Sequence, residues 1–176
     1  ILQIGNIRAF VARTLPEMGL FNQVIGFGPM EKERLHEIIQ FYRDHGIEQY
    51  RLEVNPYNAS PDFLAYLATH GFYQSSFEAY LCGVVSFDIP STSNTVIIRD
   101  VTSSNLDLFA DIHVEGFQEA LSHFSENARR LYRESTKVLY QRPGWHLYLA
   151  YVNDIPSAMG MLYIHAGKAL LAGGAT

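Results

Sequence analysis

Two places in this chain carry residue types at spacings that chemistry can use. Gly26-x-Gly28 follows a short apolar run and precedes a helix-like stretch, which is half of a dinucleotide fingerprint. Glu53 closes the next strand-like run, where a ribose-binding acid would stand. The third glycine of that fingerprint is replaced by Glu31, and the chain offers one such unit, so a nucleotide-binding βαβ protein is the lesser reading. His113-Val114-Glu115 has the His-x-Glu spelling of zinc deaminases, a site that also needs a Pro-Cys-x-x-Cys partner. Cys82 is the single cysteine, so neither that site nor an intrachain disulfide can be built, and His113 reads instead as a half-buried helix residue. No His-x-x-x-His pair and no Gly-x-Ser-x-Gly elbow occur, and no metal is expected.

The 176 residues are 48% hydrophobic and 13% aromatic, enough for a packed core in one large or two small domains. The net charge is −5 with Lys and Arg scattered, which argues against the basic stripe of a nucleic-acid binder. No apolar run approaches the roughly 20 residues of a membrane span, and no basic segment followed by an apolar core opens the chain. With one cysteine, these features favour a cytoplasmic protein without membrane or nucleic-acid partners. The chain opens on Ile1 and closes on Thr176 within strand-like residues, and reads as a piece of a longer protein.

The elements follow from periodicity and turn chemistry. Residues 1–15 are strand material with Gly5-Asn6 as a hairpin turn, and residues 15–21 are loop. Residues 22–81 read βαβαβ. A strand at residues 23–27 breaks at Gly28-Pro29. A helix over residues 30–45 shows Leu35, Ile38, Ile39 and Tyr42 on one stripe, with Glu31 and Glu33 in its first turn and Gly46 as its stop. In a strand over residues 47–54, Tyr50, Leu52 and Val54 alternate with Arg51 and Glu53. Ser60 caps a short helix that has Pro61 at its first position and Phe63, Leu64 and Leu67 on its apolar face, ending at Gly71. The aromatic residues 72–82 predict a returning strand. A crossover of this length makes the strands at 23–27 and 47–54 parallel neighbours.

Residues 89–95 are the linker. A strand at residues 96–101 follows, then a helix capped by Ser103 or Ser104 with Leu106, Phe109, Ala110, His113 and Phe117 on its stripe, then a polar loop. Ser125 caps a second helix. Its stripe is Ala128, Leu131, Tyr132, Ser135, Val138 and Leu139, and Arg129, Arg130, Arg133 and Lys137 form a solvated face. Three strands close the chain as a meander, with turns at Asn153-Asp154 and Ala166-Gly167.

This order resembles the GNAT superfamily of acyl-CoA N-acyltransferases. In residues 22–81, Asn58-Ala59, Tyr66 and Gly71-Phe72 stand in for the marks of the family's last helix and strand. In the second half, Arg99-Asp100 on the leading strand, the hairpin turn followed by Ala158-Met159-Gly160, and the strand end Gly173-Gly174-Ala175-Thr176 are similar to the family's opening half.

The resemblance implies an α/β (α+β), three-layer fold of two GNAT-like domains with mixed sheets, both incomplete. Residues 1–88 would be the C-terminal part of a degenerate domain and residues 96–176 the N-terminal part of a second. It implies transfer of an acetyl group from the co-substrate acetyl-CoA to the primary amine of a small molecule or peptide, with a homodimer left open. Gly174, Ala175 and Thr176 would be the cofactor-binding residues, one N–H polarising the thioester carbonyl and the others meeting the pantetheine arm. Tyr66 occupies the helix that often carries the family's acid, with packing as its expected role, and no general base or acid is assigned.

The family's Arg/Gln-x-x-Gly-x-Gly/Ala pyrophosphate loop would begin just past Thr176. In the first half the matching place, residues 26–33, lacks it: Pro29 removes a donor, and Glu31 and Glu33 already answer the helix start. The chain by itself is therefore expected to bind acetyl-CoA weakly or not at all and to transfer nothing. The alternative is a non-catalytic GNAT-fold interaction or regulatory module.

Overall fold

A computed structural model describes residues 1–85 and 95–176, and the chain divides into two units, Ile1–Val85 and Ser86–Thr176. Of the expected linker, residues 89–94 lie outside the described residues.

In the first unit β1 (Leu2–Ile4) and β2 (Ile7–Ala9) form an antiparallel hairpin whose turn places Gly5 at φ +56°, a value glycine adopts without a Cβ penalty. β3 (Gln23–Ile25) runs antiparallel to β2, and β4 (Arg51–Leu52) runs parallel to β3 with Gln23 opposite Arg51 and Val24 opposite Leu52. The sheet order is β1-β2-β3-β4, and the parallel pair is the one expected from the crossover length.

α1 (Leu35–Asp44) makes that crossover, but it starts later than its periodicity suggests. Residues Pro29–Arg34 form a 3₁₀ segment, so Glu31 and Glu33 head a tighter turn in place of the first α-helical turn. Leu35, Ile38 and Tyr42 are fully buried and pack with Ile7, Ala9, Val24, Phe27 and Ile47. Tyr42 stacks on Tyr50 at 4.0 Å and its hydroxyl donates to the Phe10 carbonyl at 2.8 Å.

α2 (Pro61–Thr69) adds Phe63 and Leu67 to the same core, while Leu64, expected on that face, is exposed. The Ser60 hydroxyl accepts from the Phe63 N–H at 3.2 Å, the N-cap bond its sequence position calls for. Ser60→Ala should lower the first unit's stability by about 1 kcal/mol, read as a drop of roughly 4–8 °C in its melting midpoint.

The returning strand expected at residues 72–82 does not form. Phe72 packs on the core, but every residue from 73 to 85 is exposed, Tyr73 at 85% and Phe77 at 81%. Aromatic strand propensity expresses packing on a half-buried pleated surface. These side chains have no such surface, so their composition has nothing to act on.

The second unit is one antiparallel sheet in the order β5-β6-β7-β8: β5 (Val96–Asp100), β6 (Trp145–Val152), β7 (Ile155–His165) and β8 (Lys168–Ala175). The expected mixed sheet is therefore found in the first unit alone. The cause is local, because β6, β7 and β8 are joined by two-residue turns, which can only reverse the chain. Asn153 and Asp154 both have positive φ, 52° and 61°, as the primed hairpin turn requires.

α3 (Leu106–Gly116) packs on β7 and β8, a short α4 (Gln118–Leu121) follows, and α5 (Glu126–Val138) packs on α3. α4 replaces part of the expected polar loop. Leu147, Leu149, Met159 and Met161 bury against Phe109 with Val101 and Ala175. The alternate residues point away from this core, and Ile98 and Leu171 stay exposed at 68% and 85%. Among the described residues this unit thus has two layers in place of the expected three, because both helices lie on the same side of the sheet.

Two local expectations also change. The α3 N-cap is Asn105, not Ser103 or Ser104, and its side chain turns back to accept from the Thr102 N–H at 2.7 Å. On α5 the buried residues are Ala128, Tyr132 and Thr136, while Val138 is 50% exposed. Thr136 can turn inward because its hydroxyl has partners there, described below.

Candidate functional site

The end of β8 meets the end of α3. A Cβ placed on Gly116 would lie 2.4 Å from the Ala175 Cβ and 3.6 Å from the Thr176 nitrogen, so only glycine permits this approach of helix to strand. Gly174 lies opposite Gly160 and Gly173 opposite Met161. β8 is an edge strand, and one side of its backbone has no ladder partner among the described residues. Gly174, Ala175 and Thr176 are thereby brought together beside the α3 C-terminus, with Ala175 buried and Thr176 exposed.

Between α3 and α5 lies a closed polar triangle that spacing alone does not reveal. His113 is 5% exposed, more buried than its sequence position suggests. The Thr136 hydroxyl lies 3.2 Å from the Tyr132 carbonyl, to which it donates, and 2.9 Å from His113 Nδ1. The Tyr132 hydroxyl lies 3.1 Å from His113 Nε2. One assignment satisfies all three contacts: neutral imidazole carrying its proton on Nδ1, donating to Thr136 and accepting from Tyr132.

Burial pushes the His113 pKa below the usual histidine range and the Tyr132 pKa up. A base whose folded-state pKa is lowered contributes stability that is complete above about pH 6.5 and is lost as pH falls below it. The difference in melting midpoint between wild type and His113→Gln should therefore shrink or reverse between pH 7.5 and pH 5.5. A difference constant across that range would place the ring in water.

Around this triangle, α5 is tied to α3 by charge. Arg133 reaches Asp111 at 2.6 Å and Asp107 at 3.0 Å, and Lys137 reaches Asp107 at 2.8 Å and Glu134 at 3.1 Å. Lys137 and then Arg133 hold the Asp107 carboxyl below the usual carboxylate range, and Asp111 leads in raising Arg133. Arg133 and Lys137 are thus bridges between helices, and the solvated-face reading of α5 holds only for Arg129 and Arg130. Those two line an open groove of about 490 Å³ with Glu115, Gln118, Leu121 and Glu126.

The remaining sequence candidates acquire structural reasons. Gly26 has φ +77°, and a Cβ there would sit 2.3 Å from the Asn6 carbonyl oxygen, so this glycine serves strand packing. The Glu31 carboxylate folds back to 3.4 Å from the position of a Cβ on Gly28, at the very turn a phosphate would occupy. The Tyr66 hydroxyl donates to the Lys32 carbonyl at 3.0 Å and fastens α2 to that turn. Among the described residues no group of three His, Cys, Asp or Glu side chains is placed to hold a metal ion, and no helix is long and apolar enough to cross a membrane.

No protein-family model matches the chain, and no curated protein matches it. Among solved structures, the chain is similar to a possible acetyltransferase from Clostridium difficile 630, at 13% identity and a TM-score of 0.38. The likeness covers 47% of this chain and 58% of that one, so the chain spans less than two thirds of that structure's length.

Proposed function

We propose that the polypeptide carrying this chain is an acetyl-CoA-dependent N-acetyltransferase of the GNAT type, built from tandem domains of which residues 1–88 and 96–176 are parts. The observation that carries the reading is the second unit's order, β5-α3-α4-α5-β6-β7-β8, with the end of β8 held against Gly116. That order, together with the hairpin before Ala158-Met159-Gly160 and the strand end at Gly174, Ala175 and Thr176, supports the resemblance drawn from the sequence.

In the proposed reaction the lone pair of a primary amine attacks the thioester carbonyl. The C–N bond forms, the C–S bond breaks, the amine gives up a proton and the thiolate takes one. A β8 backbone N–H at Ala175 or Thr176 would hold the developing oxyanion. The site is proposed to work in the cytoplasm on a soluble amine. The test is release of CoA thiol by the full-length gene product across a panel of amines. No release with any amine, together with no calorimetric binding of acetyl-CoA, would remove the reading.

A non-catalytic role is favoured for the first unit by one observation, the Glu31 carboxylate folded onto the Gly28 turn. A turn already answered by its own acid is a poor pyrophosphate site. Excess acetyl-CoA should therefore leave the melting midpoint of residues 1–176 unchanged, whereas a ligand at 100 times its dissociation constant adds about 2.7 kcal/mol. A clear upward shift would show that residues 28–33 hold the cofactor after all.

A further inference from the structure

The groove flanked by α3, α4 and the start of α5 holds charges of both signs that do not pair with each other. Arg133 and Asp111, on its wall, are committed to the bridge between α3 and α5. The side chains of Glu115, Gln118, Glu126 and Arg129 line the same groove with no hydrogen bond or ion pair among the described residues, and the Arg130 side chain has one bond, from Nη2 to Asn127. A singly charged ligand entering here would meet an opposing charge as well as a partner. A ligand carrying both charges would meet partners for each.

The side-chain charges set its direction. α3 ends at Gly116, and the carbonyl end of a helix favours a cation; Glu115 and Gln118 stand at that end. α5 begins at Glu126, whose carboxylate already answers the amide end of that helix, so the anion is placed by the side-chain charges of Arg129 and Arg130 one turn further in. Gly116 is also the residue that touches Ala175 and Thr176. At about 100° per residue, Val114 and Gln118 lie on the side of α3 opposite Gly116, so the groove opens on a face of the helix turned away from β8.

We propose that this groove binds a small zwitterion of amino-acid or dipeptide size, its carboxylate on Arg129 and Arg130 and its amino group toward Glu115 and Gln118. The groove lies apart from the strand end at Ala175 and Thr176, so the ligand is proposed independently of the function proposed above.

The test titrates three probes into isotope-labelled protein of residues 1–176 at pH 7 and follows backbone amide shifts. Alanyl-alanine carries both charges, alanyl-alaninamide the cation alone, and N-acetyl-alanyl-alanine the anion alone. The zwitterion should bind at least about tenfold more tightly than either, the size of one charge-assisted contact. The shifts should map to residues 114–130, and Arg129→Gln, its fold verified by its own spectrum, should weaken alanyl-alanine to the level of the amide. Equal affinities for the three probes, no binding, shifts mapping elsewhere, or an Arg129→Gln protein that binds unchanged would each overturn the proposal. Zwitterion binding by a full-length protein that never releases CoA thiol would refute acetyl transfer and leave the groove. Thiol release with simple alkylamines, in a protein whose groove ignores alanyl-alanine, would do the reverse.

Discussion

Replacing Asn22 by alanine should lower the stability of the first unit by about 3 kcal/mol. Asn22 is fully buried, and its side chain spans a loop that has no regular structure of its own. Its Oδ1 accepts from the Ala12 N–H at 2.8 Å, and its Nδ2 donates to the carbonyls of Leu15 at 2.8 Å and Met18 at 3.1 Å. Leu15 and Met18 are themselves 4% and 3% exposed, so the loop is pinned down as well as packed. Each bond contributes about 1 kcal/mol net, and a buried group left without its partner costs about 1–3 kcal/mol more. Water reaching one or two of the orphaned groups keeps the total below the sum. Asn22→Asp should be at least as damaging, because it turns a carboxylate oxygen toward two carbonyls. Urea unfolding with unchanged slope and a lowered midpoint is the expected readout; an alanine variant within about 1 kcal/mol of wild type would show that the loop is held some other way.

Gly116→Val should cost the second unit about 3 kcal/mol and open the end of β8. The first added carbon would lie 2.4 Å from the Ala175 Cβ and 3.3 Å from its Cα, where carbon atoms rest at about 3.5–4.0 Å. The obstacle includes strand backbone, so α3 and β8 must part, loosening the contact of Phe109 with the sheet core. Gly160→Ala is the control, since nothing lies within 4 Å of its added carbon. If acetyl transfer is the function, Gly116→Val should also weaken acetyl-CoA binding by the full-length protein more than tenfold while removing no polar group. Full cofactor affinity in a folded Gly116→Val protein would separate the strand end from the cofactor.

What the sequence makes legible here is what local chemistry decides. The stripe of Leu35, Ile38 and Tyr42 with Gly46 after it locates α1 and its parallel strands, and Asn153-Asp154 with Ala166-Gly167 locates the meander. Ser60 and Ser125 cap as read, because an N-cap bond closes over three residues. The misses belong to contacts between distant residues. Thr136 is buried because its hydroxyl meets His113, 23 positions away, a pairing no heptad or stripe encodes, while Val138 stays half exposed. The bonds of Asn22 reach back 4, 7 and 10 positions into a loop without periodicity. Residues 72–82 have the composition of a strand, yet composition cannot supply the neighbour against which a strand forms. For the candidate site, the sequence shows Gly174 to Thr176 as a strand end, while the charges of the proposed groove come together only once α3 and α5 lie side by side.

The bare outer face of the β5–β8 sheet has a practical consequence. Ile98 and Leu171, with Ile164 at 43% exposed, offer a native apolar surface to any environment-sensitive fluorophore. An anilinonaphthalene sulfonate trace should start bright on the folded protein and rise little on heating, understating the cooperativity of unfolding. Far-ultraviolet ellipticity, which reports the helices and the meander directly, should give the steeper transition, and the gap between the two curves measures how much oil this fold leaves in water.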